Sequence, residues 1–229
     1  MSKNVLVVGA HPDDEILGAG GTLIRHARSG DKVFSCILSE GATARYGEDM
    51  IPVLREHVKK AGDIIGISDV VFHDFENIRM NAVPALEVVR AVELAILKFR
   101  PEIIYTHSSG DVNMDHRVVF DAVVAAMRLP ERRRHDLPIN MIKKVYCFET
   151  PSSTDWAPPL AGHAFMPNFF VDVKDTIDTK LEALKVYETE TKRYPHPRSL
   201  EAIKMRANIR GIECGMEFAE AFMLIRELC

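Results

Sequence analysis

A histidine, two aspartates and a glutamate crowd around a proline near the start of this 229-residue chain, in the run His11-Pro12-Asp13-Asp14-Glu15. No hydrophobic core selects such a run. His11 and Asp14 are an imidazole and a carboxylate three residues apart on a tight turn, able to converge on one divalent cation. Asp13, between them, must point elsewhere and can stay free as a base. A second concentration of chemistry follows much later, from His107 to Arg117, and includes Asp111, Asn113, Asp115 and His116. His116 stands where a helix begins, held by a rigid element as a ligand should be.

The flanking pattern says what positions these groups. Val5 to Val8 is an apolar, β-branched run, read as a strand buried on both faces of a parallel sheet. Pro12 has no N–H for a ladder, so the strand ends before it. Small and apolar residues then give a helix from Asp14 to Ser29. Lys32–Ser39 reads as a second strand, Met50–Gly66 as a helix capped by its glycine, and Asp69–Phe72 as a third strand. A helix from Val83 to Phe99, a strand from Glu102 to Thr106, a helix from Val118 to Leu129 and a strand from Lys144 to Glu149 continue the alternation. This is the mark of an α/β, Rossmann-like, doubly wound and mostly parallel sheet with helices on both faces. Ligands of such sheets sit outside the carboxyl ends of the strands, where His11 falls.

Beyond residue 149 the pattern loosens. Thr150 to Met166 holds the only tryptophan, Trp156, and reads as a covering loop. A strand (Asn168–Val173), a helix (Thr176–Thr191), a proline-broken loop around His196 and a helix from Ser199 to Gly211 follow, and Met216 to Leu228 is an amphipathic tail. The expected organisation is one domain over 1–229, with a core over 1–149 and a C-terminal strand-helix extension over 150–229.

A hydrophobic content of 47% with 27% charged residues suits a large buried core, and a net charge of −4 gives no reason to expect nucleic acid or an anionic membrane as partner. No apolar run approaches the roughly 18 residues that span a bilayer. Met1 to Asn4 leads straight into a strand without room for a signal peptide, and the four cysteines form no close pair, so a cytoplasmic protein with reduced thiols is expected. The run Arg132-Arg133-Arg134 reads as a solvated surface, with a phosphate grip as the other reading.

Ala10-His11-Pro12-Asp13-Asp14-Glu15 resembles the signature of the LmbE-like, or PIG-L, family of zinc-dependent N-deacetylases. Asp115-His116 matches a second motif of the family, after its fourth strand. The Phe165–Asn168 strand entry, the Lys-rich helix, His196-Pro197-Arg198-Ser199 and Ala219–Phe222 resemble its sugar-modifying branch, so the likeness covers nearly the whole chain. The resemblance implies one zinc per chain held by His11, Asp14 and His116, with Fe²⁺ or another divalent metal admitted. Two histidines and one carboxylate with an open position form a catalytic zinc set. It further implies Asp13 as general base. Asn113 stands where many members place a histidine; its amide can donate to an oxyanion but cannot carry a proton. Asp111 and Asp115 orient imidazoles or bind sugar hydroxyls, Asp115 being preferred as the orienter.

Glu76-Asn77 takes the place of an Asp-Asn pair at the substrate. Arg45 is either a solvated loop arginine or a fork for a substrate oxygen, and His196 either a surface residue or part of a loop that closes over the site. The function implied is hydrolysis of the N-acetyl group of an amino sugar: a glycoside, a nucleotide sugar or a glycolipid precursor. The expected partners are that small molecule and further copies of the chain. Two other readings stand beside it: a non-catalytic or repurposed metal- or sugar-binding member, and a nucleotide-binding protein using Gly18-Ala19-Gly20-Gly21 as its phosphate loop.

Overall fold

The computed structural model describes residues 2–133, 141–158 and 164–229. Their strands form one seven-stranded sheet. The strands are β1 (Asn4–Gly9), β2 (Lys32–Ser39), β3 (Ile67–Phe75), β4 (Ile103–His107), β5 (Lys144–Phe148), β6 (Phe169–Asp172) and β7 (Ala219–Glu227). The helices are α1 (Asp14–Arg28), α2 (Met50–Ile65), α3 (Ala85–Phe99), α4 (Met114–Ala126), α5 (Leu129–Arg133), α6 (Ile177–Lys185) and α7 (Leu200–Ile212). The strand order is β3-β2-β1-β4-β5-β7-β6, parallel from β3 to β5 and antiparallel at β5–β7 and β7–β6. The winding reverses between β1 and β4, which leaves a crevice at the carboxyl ends of these two strands.

The pleat of β1 explains why both faces must be covered. Val5 and Val7 enter one cluster with residues of α1, α2 and α6, whereas Leu6 and Val8 enter another with α3 and α4. All four are fully buried. At roughly 1.5–3 kcal/mol per buried large aliphatic side chain, this strand is the anchor from which His11 is aimed. Cys36 and Cys147 are buried and free, and burial pushes both thiols up to about 12, in keeping with inert core cysteines. No helix among the described residues is long and apolar enough to cross a membrane.

Three differences from the sequence pattern carry physical reasons. The amphipathic tail, whose element type the pattern leaves open, is the strand β7, inserted between β5 and β6, where Phe222 pairs with Phe148 and Phe169. α4 starts at Met114 because the Asn113 side chain accepts from Asp115 N and caps it. α6 stops at Lys185, where the Thr191 hydroxyl takes the Leu184 carbonyl and the chain continues in turns. Of the charged segment Pro130–Pro138, Arg132 pairs with Glu93, and residues 134–138 lie outside the described residues. So do residues 159–163 of the covering loop.

The glycine run is not a phosphate loop. Gly18, Gly20 and Gly21 are buried inside α1, and a Cβ on Gly18 would lie 2.2 Å from the Phe148 ring. At Gly21 the missing side chain admits Glu220 of β7, whose carboxylate accepts from Gly21 N (2.8 Å), Thr22 N (2.7 Å) and Lys180 Nζ (2.7 Å). Lys180 also donates to Leu17 O at 2.9 Å. This buried pair ties β7 and α6 to α1. Glu220→Ala strands the Lys180 charge, and urea unfolding should show a loss of about 3–5 kcal/mol.

Candidate metal centre and catalytic cleft

The expected ligands converge from the two strands that flank the crevice. The turn after β1 closes as His11 N donates to Asp14 Oδ2 at 2.8 Å, which folds both side chains to one side. His116, in the first turn of α4, reaches them from the β4 side. One ligand atom from each of His11, Asp14 and His116 lies within 4.8 Å of the others. His11 Nδ1 lies 3.3 Å from Asp14 Oδ2 and 3.3 Å from His116 Nε2. His11 Nε2 lies 3.0 Å from Asp115 Oδ2 and donates to it, so in the neutral imidazole the lone pair is on Nδ1, which faces the others. His116 Nδ1 lies 3.1 Å from Asp111 Oδ2, which leaves Nε2 toward the same point. Each imidazole thus has a carboxylate behind it, the arrangement that fixes the ring and raises its basicity in metal sites. Asp14 Oδ1 is buried with no hydrogen-bond partner, a cost that a bound cation would remove. The donor set fits a divalent metal.

The electrostatics agree. Burial opposes a charge on His11, yet hydrogen bonds and the charges of Asp115 and Asp14 raise it to about 10. Burial also disfavours ionised Asp14, but His116 and His107 hold it well below the usual carboxylate range.

A second cluster, His107 with Asp111 and His116, overlaps the first. Its donors are already engaged. His107 Nε2 accepts from Ala10 N at 3.0 Å, and its ring stacks on His116 with centroids 3.9 Å apart. Asp111 accepts from Ser153 Oγ, Thr154 Oγ1 and Asn113 N. Burial and the neighbouring His116 lower His107 to about 4, so it is neutral.

Asp13 points away from the ligands, into the cleft. Its backbone is left-handed, with φ of 109°, a region aspartate tolerates better than most residues. Glu15 holds it there by accepting from Asp13 N at 3.2 Å, while Tyr187 donates to the other Glu15 oxygen at 2.6 Å. Burial pushes Glu15 up to about 7. Arg198 Nη1 sits 2.9 Å from Asp13 Oδ2. Burial raises Asp13 well above the usual carboxylate range, and the Arg198 guanidinium pulls against that.

An inner cavity of about 30 Å³ is lined by His11, Asp13, Asn77, Asn113 and Arg198 among others. An outer groove of about 430 Å³ continues from it past Arg45, Ile78, Glu190, Lys192 and His196. Arg45 is at the mouth, 57% exposed and 3.4 Å from Glu190. Asn77 is buried; its amide nitrogen donates to Gly41 O, and its Oδ1 has no partner. Three of the expected residues do not line the cleft. Asp111 and Asp115 are buried behind the ligands, and Glu76 pairs with Arg79 at the surface. Ile78 has φ of 61°, an outlier for a β-branched residue that costs on the order of 1–3 kcal/mol.

Sequence reasoning did not assign His107, Arg198, Glu190, Glu15, Tyr187 or Ile78. His107 had a signal, since it ends a strand beside the crevice. Arg198, Glu190, Glu15 and Tyr187 acquire meaning only when α6 and the loop before α7 fold back over the turn, and Ile78 only once Asp115 holds its backbone.

Comparison with known proteins follows the same lines. The family model of the PIG-L type, GlcNAc-PI de-N-acetylase, matches residues 6–127. The chain is 30% identical over 193 residues to the uncharacterised deacetylase YaiS of Escherichia coli K12, covering 82% of this chain and 91% of that one. It is 26% identical over 199 residues to the diacetylchitobiose deacetylase of Thermococcus kodakarensis, covering 82% and 70%. The solved structure of GalB, the 4-carboxy-2-hydroxymuconate hydratase of Pseudomonas putida KT2440, superposes with a TM-score of 0.79 at 22% identity, covering 99% and 98%.

Proposed function

Since the chain belongs to the PIG-L family, the LmbE-like proteins, we propose that it is a zinc-dependent hydrolase that removes the N-acetyl group from an N-acetylated amino sugar. The observation that carries this reading is the convergence of His11, Asp14 and His116 beside a buried acid, Asp13, that is not one of the ligands. The size of the inner cavity supports a small acyl group. At about 30 Å³ it has room for a water or a methyl group but not a sugar ring, which must lie in the outer groove.

When bound, the cation would polarise the amide carbonyl and lower the pKa of a water from 15.7 toward about 7. The chain's own residues do the rest. Asp13 takes the proton of the attacking water and delivers one to the leaving amine. Asn113 uses its Oδ1 to cap α4, so its NH₂ group is left to donate to the carbonyl oxygen as charge develops there. Asn77 lines the inner cavity, and its unpartnered Oδ1 is assigned to accept from the amide N–H or a sugar hydroxyl. Asp115, through its bond to His11 Nε2, fixes that ring, and Asp111 Oδ2 stands 3.1 Å from His116 Nδ1. Arg198 keeps part of the Asp13 population ionised. Arg198→Met removes the charge that opposes burial, so Asp13 titrates higher, and the acidic limb of the kcat/KM profile should move to higher pH.

The test is metal analysis of the purified protein together with acetate release from N-acetylglucosamine glycosides. About one zinc per chain, with acetate release that a chelator stops, is the expected result. Metal without acetate from any such glycoside would overturn the deacetylase reading and favour a repurposed site.

A further inference from the structure

We propose that Ile78 is the specificity-determining residue of this cleft and that it selects an apolar aryl or alkyl aglycone over a second sugar ring. The proposal rests on the deacetylase reading above.

Ile78 lines both the inner cavity and the outer groove, so a substrate that extends from the acyl end to its aglycone must pass it. Its position is paid for in backbone strain. A β-branched residue disfavours φ of 61°, where glycine or asparagine would sit with less cost. The surroundings enforce it all the same. Asp115 accepts from Ile78 N at 2.8 Å and from Met80 N at 3.1 Å, and Glu40 accepts from Asn77 N at 2.8 Å. The fold gets little packing in return, since the side chain is 45% exposed. Strain of this kind is found where a side chain serves a site.

Ile78 does not stand alone. Val112, from the loop before α4, and Met114, the first residue of α4, are also 48% and 43% exposed and line the same groove. Polar side chains, among them Arg45, Asn113, Lys192 and His196, make up the rest of the lining. Ile78, Val112 and Met114 thus give the groove an apolar stretch whose side chains offer no partner to hydroxyls. A second sugar ring laid on it would lose hydrogen bonds to water without replacement, whereas an aryl or alkyl group would gain from leaving water. The same Asp115 carboxylate binds His11 and the Ile78 backbone, so the apolar stretch is rigidly placed relative to the candidate metal ligands.

The experiment compares kcat/KM for acetate release from methyl and phenyl glycosides of N-acetylglucosamine and from N,N′-diacetylchitobiose, using the metal-loaded full chain and its Ile78→Asn variant. Asparagine tolerates the left-handed backbone, so this variant should keep or raise the melting temperature. The expected result is a preference of about 10–200-fold for the phenyl glycoside over the other two, expressed in KM. In Ile78→Asn the ratio should fall toward one. Equal kcat/KM on all three substrates overturns the proposal and leaves the deacetylase reading standing. So does an Ile78→Asn variant that keeps the preference. No acetate from any of the three, with metal bound, overturns the deacetylase reading and this inference with it.

Discussion

Asp13→Asn is expected to cut turnover of an N-acetyl glycoside by about 10²–10⁴-fold while leaving the metal content unchanged. Asparagine matches aspartate in size and tolerates the left-handed backbone at φ of 109°, so the substitution removes the basic oxygen and little else. Asp13 contributes no atom to the convergence of His11, Asp14 and His116, so metal should stay. Its carboxylate is instead held at the cleft by Arg198, and its backbone by Glu15. Acetate release, metal content and melting temperature, measured on the same preparation, separate the roles. Loss of turnover with metal and stability intact is the signature of a base. Unchanged turnover removes Asp13 from the mechanism. Loss of metal would make it part of the scaffold of the site. Asp13→Ala tests the same point less cleanly, because alanine adds strain at this φ.

What the sequence makes legible follows from locality. Val5 to Val8 could only be a strand covered on both faces, and the structure divides those four side chains between two cores. The clustering of His11 with Asp14 depends on a three-residue turn, and that of His116 on the start of a helix, so short-range pattern reaches both. β7 shows where such reading stops. Ala219 to Glu227 is rich in helix formers, yet it pairs as a strand because a slot between β5 and β6 is open and Glu220 finds Lys180 and the α1 backbone there. Arg198 and Glu190 show the same limit at the site. In a polar loop an arginine looks solvated, and only the return of the chain over Asp13 gives it a partner. Ile78 is less legible still, since nothing in a residue's neighbours announces that its φ will be positive.

His116→Ala and His11→Ala are expected to take bound metal from about one per chain to near none, with turnover lost alongside it. Asp115→Ala should weaken metal affinity by about 10–100-fold, because His11 loses the carboxylate that fixes its tautomer. The contrast is His107→Ala. His107 shares the second donor cluster with His116, but its Nε2 is spent on the Ala10 N–H and it is fully buried. That variant should keep the metal and lose about 1–3 kcal/mol of stability, because a buried backbone donor is left without an acceptor. The pH dependence adds an independent check. Without a cation, His11 near 10 carries a proton on neutral solution's side of its titration, held by Asp115 and Asp14. A cation needs the Nδ1 lone pair, so its binding expels that proton and tightens as pH rises from 6 to 9. Metal titrations at several pH values, in buffers of different ionisation enthalpy, read both effects. If His107→Ala loses the metal while His11→Ala keeps it, the ion belongs to the cluster of His107, Asp111 and His116.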